Sequence, residues 1–141
     1  MIEIASFQEY IEEGKAKRVP TNSIRARSLV KSSEQAIITA KTIHLTETSS
    51  KTIFRELYEG LREYCEAIGY LKGYKFLDHL SITYFLQDIL KQKALAMKFD
   101  RYRKLRNSIN YYGEGINAST VKEALEEIPK IINSLKEQFK K

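Results

Sequence analysis

The residues best suited to chemistry lie together between Lys98 and Gly113. This stretch carries Lys98, Arg101, Arg103, Lys104 and Arg106 against a single acid, Asp100. On a helix, Arg103, Arg106, Asn107 and Asn110 gather on one side with Tyr111 at its edge. Tyr102, Leu105, Ile109 and Tyr112 gather on the other side and are expected to pack inward. Arginine presents a planar fork of N–H donors that grips phosphate bidentately, and asparagine can fix that fork or bond a sugar hydroxyl. Phosphodiester recognition is therefore the expected chemistry, with Arg101, Arg103, Lys104, Arg106 and Asn110 contacting nucleic acid. A solvated helix face, or pairing with acids of a neighbouring helix, is the competing reading of the same charge.

The whole chain points the same way. Its formal net charge of +6 and pI near 9.3 favour polyanionic partners. Other chemistries find little footing. Cys65 is the only cysteine, so no intramolecular disulfide and no cysteine-type zinc site can form, and it reads as a small core residue. The two histidines, His44 and His79, lack acidic neighbours at metal-ligand spacing and are expected to cap or pack helix ends, with a catalytic part only if folding brings one to the cleft. No metal and no cofactor is expected, because there is no phosphate-cradling glycine loop, dinucleotide-binding glycine pattern or serine elbow. Met1 to Tyr10 carries two glutamates and no signal-type apolar run, and no stretch approaches the roughly 20 apolar residues of a membrane span. A cytoplasmic protein without a membrane partner is the expectation.

The elements that must position the basic segment read as helices throughout. With 43% hydrophobic residues the chain can bury a core, and its two prolines and six glycines leave long uninterrupted segments. A first helix runs from about Ile4 to Glu13 and stops at Gly14, with Lys15 to Pro20 as a basic connector. Thr21 or Asn22 caps a second helix that reaches about His44 and carries Ala26, Leu29, Ser33, Ile37 and Ala40 on one stripe. Thr48 to Ser50 opens a third, with Ile53, Leu57, Leu61, Tyr64, Ile68 and Leu71 inward until Gly73 ends it. Asp78 caps a fourth holding Ile82, Phe85, Leu86 and Ile89, and the junction with the fifth lies near Lys93 to Lys98. The fifth ends at Gly113 or Gly115. Thr120 to Glu123 reads as a capping box opening the last, in which Val121, Ala124, Ile128, Ile131, Leu135 and Phe139 share a face and Pro129 should introduce a kink. The expected architecture is one domain over residues 1–141, an all-α, up-and-down bundle of five to six helices.

The run Arg106-Asn-Ser-Ile-Asn-Tyr-Tyr-Gly113, near the end of a bundle and followed by one more amphipathic helix, resembles the signature segment of the HEPN family. The stretches Phe54-Arg-Glu-Leu-Tyr-Glu-Gly-Leu-Arg-Glu63 and Gly73-Tyr-Lys-Phe-Leu-Asp-His79 resemble archaeal members. This resemblance implies a HEPN-like helical bundle that forms a homodimer. It also implies an RNA-directed activity in which Arg106 holds the scissile phosphate beside the polar Asn107 while a histidine moves protons. The family histidine follows the arginine after four to six residues. Here the first such position is Tyr111 and the next Tyr112, and neither supplies an imidazole. A phenol titrates near pH 10, far from a working acid–base group, so Tyr111 is expected to position substrate or stack on a base. The tyrosine that some toxin members present for nucleotidylation falls on Gly113, leaving only the displaced Tyr111 and Tyr112.

Two functions compete. One is an RNA-binding protein that is a weak or inactivated metal-independent ribonuclease of toxin type. The other is a non-catalytic module whose Arg103, Arg106 and tyrosine face docks an acidic protein, such as a nucleotidyltransferase-like antitoxin.

Overall fold

Four of the six described α-helices begin where a side chain satisfies one of the first free amides. The computed structural model describes residues 6–140, apart from the side chains of Tyr112 and Lys140. In α1 (Phe7–Glu12), Ser6 accepts a hydrogen bond from the Glu9 amide; the start expected at Ile4 lies outside the described residues. Asn22 Oδ1 takes the Arg25 amide at 2.9 Å and opens α2 (Ser23–Thr42). The third helix, α3 (Ser50–Lys72), stops at Gly73, whose φ of 86° lies in the left-handed region that glycine adopts freely. Asp78 Oδ1 accepts the Ser81 amide at 2.8 Å at the head of α4 (Leu80–Asp88), as its sequence position indicated.

Two boundaries differ from the sequence expectation. The junction between α4 and α5 (Lys93–Tyr112) occupies residues 89–92, ahead of the Lys93 to Lys98 window. The capping box at Thr120 does not form. Asn117 Oδ1 accepts the Thr120 amide at 2.9 Å, so α6 (Ala118–Lys136) begins earlier and Thr120 lies inside it. The asparagine carboxamide reaches the amide three residues on, which is the task assigned to the threonine hydroxyl. Pro129 lies within α6 without ending it.

A third difference is an addition. The segment read as a basic connector contains β1 (Ala16–Arg18), which pairs antiparallel with β2 (Tyr74–Phe76) in the register Ala16 to Phe76, Lys17 to Lys75 and Arg18 to Tyr74. Strands of three residues are too short to show a period in sequence. Among the described residues the architecture is a bundle of six α-helices, one two-stranded ribbon and a closing 3-10 turn at Glu137–Lys140. No described helix is long and apolar enough to cross a membrane.

Helix α3 runs through the core and packs against α2, α5, α6 and β2. Its stripe from Ile53 to Ile68 is buried, as is the α2 stripe from Ala26 to Ala40. The two helices approach closely at Gly60. A Cβ there would lie 2.8 Å from the Ile37 side chain and 3.1 Å from the Ser33 carbonyl, and Ser33 Oγ donates to the Gly60 carbonyl at 2.6 Å. The ribbon is fastened by its inward face. Phe76 meets Phe85 edge-on at 5.1 Å, and Phe7 meets Tyr74 edge-on at 5.2 Å. This anchorage matters because the chain leaves β2 directly into Leu77, Asp78 and His79. Cys65 is fully buried and burial pushes its thiol up to about 12, so it is a core residue as expected.

Candidate nucleic-acid interface

Folding redistributes the basic run of α5. Within the run only Asp100 opposes this charge, but α6 brings Glu123 and Glu127 alongside. Lys98 and Arg101 each lie 3.7 Å from Glu127, Arg101 is also 3.7 Å from Glu123, and Tyr102 donates its hydroxyl hydrogen to Glu127. Arg103 Nε donates to Asp100 Oδ1 at 2.8 Å, and Lys104 lies 3.3 Å from the other oxygen. Burial pushes the Asp100 carboxyl up, but hydrogen bonding and charge from Arg103, together with Lys104, outweigh it and hold the group below its usual range. Four of the five cations are thus paired. Arg106 alone among them makes no ion pair with a described residue.

Arg106 lies instead in an open groove of about 480 Å³, shared with Leu77, Asp78, His79, Leu80, Arg103, Asn107 and Tyr111, where the Asp78 carboxylate is engaged by the Ser81 amide. Its guanidinium is held by aromatic faces, 5.9 Å from the centre of the Tyr58 ring and 6.0 Å from that of Tyr111. The side expected to be polar therefore does assemble around Arg103, Arg106, Asn107 and Tyr111. Asn110 is turned to α3, where its Oδ1 accepts from Arg55 Nε at 3.3 Å. Arg101 and Lys104 line a different depression with Met97 and Ser108. On the inward side Tyr102 and Ile109 are buried and Leu105 is half-buried. The side chain of Tyr112, expected there too, lies outside the described residues.

Of the two histidines, the one that folding brings to the groove is His79. It was assigned to capping or packing at the start of α4, yet its ring lies in the same groove as Arg106. Its Nδ1 is 2.9 Å from the Tyr58 hydroxyl oxygen, and the two rings are 5.7 Å apart. Burial lowers the imidazole to about 4, with the nearby positive charges of Arg106 and Arg62 contributing. At neutral pH the ring is therefore uncharged. Burial also raises the Tyr58 phenol, which keeps its proton. When His79 Nδ1 donates to the Tyr58 oxygen, Nε2 is left as the proton-accepting nitrogen. Tyr58 is fixed in turn by Phe99, its ring 5.8 Å away on α5. His44, by contrast, is exposed in the α2–α3 loop and lies away from this groove.

The groove thus holds an unpaired guanidinium, a neutral imidazole and the Asn107 carboxamide. Tyr111 is 70% exposed and Leu77 53% exposed at its rim. A guanidinium lacking a carboxylate binds an incoming oxyanion without first breaking an ion pair. The rim offers flat apolar surface to a nucleobase. Among the described residues, no cluster of three or more histidine, cysteine or carboxylate side chains is placed to hold a metal ion. The chain matches no protein-family model, no curated protein and no solved structure.

Proposed function

We propose that this protein is a HEPN-like, RNA-directed protein whose Arg106 groove binds a phosphodiester and cleaves it weakly without metal. The observation that carries the reading is the meeting of Arg106, which makes no ion pair with a described residue, with the neutral imidazole of His79 in one groove. In this scheme Arg106 holds the non-bridging oxygens of the phosphate and stabilises the charge that builds there. In the tautomer in which Nδ1 donates to the Tyr58 oxygen, His79 Nε2 takes the proton of the ribose 2′-hydroxyl, whose oxygen attacks phosphorus. The bond to the 5′-oxygen breaks, that oxygen leaves with a proton from water, and a 2′,3′-cyclic phosphate remains. His79 thereby takes the part of the histidine missing at Tyr111, while Asn107 and Tyr111 position the substrate. Homodimerisation belongs to the same reading on the strength of the sequence resemblance, although both reacting groups come from one chain.

The test is RNA affinity measured by fluorescence anisotropy at low salt with chelator present. Removing a charged group that grips phosphate should cost about 1.5–3 kcal/mol, so Arg106→Ala should weaken binding roughly 10- to 100-fold. Lys41→Ala, an exposed change on α2, should leave affinity within about twofold. Equal effects of the two changes would reject the site. Retained capture of an acidic protein with no measurable RNA affinity would favour the docking-module function instead.

A further inference from the structure

The β1–β2 ribbon has a face that the core leaves unused. Ala16 and Phe76, directly opposite one another, are buried and fix the register. Alternation then puts Lys17 and Lys75, also directly opposite, on the outward face. Both are exposed, and neither makes an ion pair with a described residue. Like charges at opposed positions of a ribbon are destabilising, and no ion pair with a described acid relieves them here. Lys15, the next residue on this face, is by contrast paired with Glu13 at 3.4 Å.

The pairing continues one step past the strands, where the Leu77 amide donates to the Lys15 carbonyl at 2.9 Å. Leu77 therefore shares the outward face with Lys75, about 7 Å along the strand. It also lines the Arg106 groove. The outward face of the ribbon and the groove are thus one continuous surface, running from the Lys17–Lys75 pair across exposed Leu77 to His79 and Arg106. Cations and apolar side chains share it, and the groove's one described carboxylate, Asp78, is occupied by the Ser81 amide, which suits a chain of phosphates bearing bases that are free to lie on Leu77 and Tyr111. A duplex keeps its bases stacked inside and cannot offer them.

We propose that this surface is a track for single-stranded RNA, in which Lys17 and Lys75 hold phosphates adjoining the one seated at Arg106. The proposal rests on the groove being an RNA site, and the experiment separates the two. Affinity for a labelled single strand of about twelve nucleotides is measured over a range of salt concentrations, with chelator present. Each phosphate contact on a single strand contributes about −0.7 to the slope of log affinity against log salt. The double variant Lys17→Gln/Lys75→Gln should therefore flatten the slope by about 1.4, while binding of a trinucleotide, which the groove alone accommodates, stays unchanged. Its melting temperature should hold or rise, since the opposed charges are gone; a fall would assign the lysines a structural role and overturn the track. Lys41→Gln/Lys136→Gln, the same charge change on another face, should leave the slope as in the wild type. A wild-type slope in the ribbon variant, with Arg106→Ala still weakening binding, would overturn the track and leave the groove standing. No effect from either change would overturn both. Tighter binding of duplex than of single strand, or displacement of the RNA by polyglutamate at equal charge, would replace the track with a duplex or acidic-protein surface.

Discussion

His79→Ala should abolish most RNA cleavage while leaving RNA binding nearly intact. A positioned general base contributes about 10²- to 10⁴-fold to the rate of proton transfer, and the loss should appear in kcat. Arg106 remains in that variant, so affinity should change by less than about threefold, since the neutral ring supplies at most one ordinary hydrogen bond to the ground state. The pH profile gives a second handle. The free protein holds His79 at about 4, because burial and the positive charges of Arg106 and Arg62 disfavour the imidazolium. A base must be unprotonated to act, so kcat/KM should climb as pH rises through about 4 and be level by neutrality. An unperturbed histidine would place that limb near 6.5. Single-turnover cleavage of a labelled RNA in chelator checks both points, and cleavage unaffected by His79→Ala would remove the imidazole from the scheme.

Phe99→Ala should be the costliest single truncation near the site. The ring is fully buried and rests 5.8 Å from Tyr58, the residue that holds His79. Removing a buried phenylalanine ring costs about 3–5 kcal/mol in lost transfer energy and cavity formation. That is a large share of the roughly 5–15 kcal/mol typical of a folded domain. Urea denaturation should show the midpoint falling sharply, whereas Phe99→Leu should lose much less because most of the volume is kept. A loss below about 1 kcal/mol for Phe99→Ala would mean that the site's scaffold is not packed as described.

Both expectations depend on a placement that the sequence only half revealed. The stripes of α2, α3 and α6 were legible because their apolar residues recur every three or four positions. Asn22, Asp78 and Gly73 marked helix ends through their own side-chain and backbone chemistry. Arg103, Arg106, Asn107 and Tyr111 were legible as one side of α5 for the same geometric reason. His79 could not be placed beside Arg106 because it is 27 residues away in the chain and belongs to no motif with it. A clue was nevertheless present. A short joint between α4 and α5 makes them antiparallel neighbours. Counting back from the joint at about 1.5 Å per residue places the head of α4 beside the second half of α5. The neutralisation of Lys98 and Arg101 was hidden for a related reason. Glu123 reads in sequence as part of a capping box and Glu127 carries no signal, and only the fold brings the two to α5. The ribbon was hidden by its length, since three residues cannot display alternation.

The most direct measurement is an NMR titration of the His79 ring, in the free protein and with a 2′-O-methyl oligoribonucleotide that cannot be cleaved. Seating a phosphodiester between Arg106 and His79 puts a negative charge beside the imidazole and offsets the guanidinium, and both effects favour the protonated ring. The account predicts a His79 titration near pH 4 in the free protein that moves upward when the oligonucleotide binds, with Arg106→Ala raising the free value as well. A ring that titrates at the same pH with and without saturating oligonucleotide would contradict it.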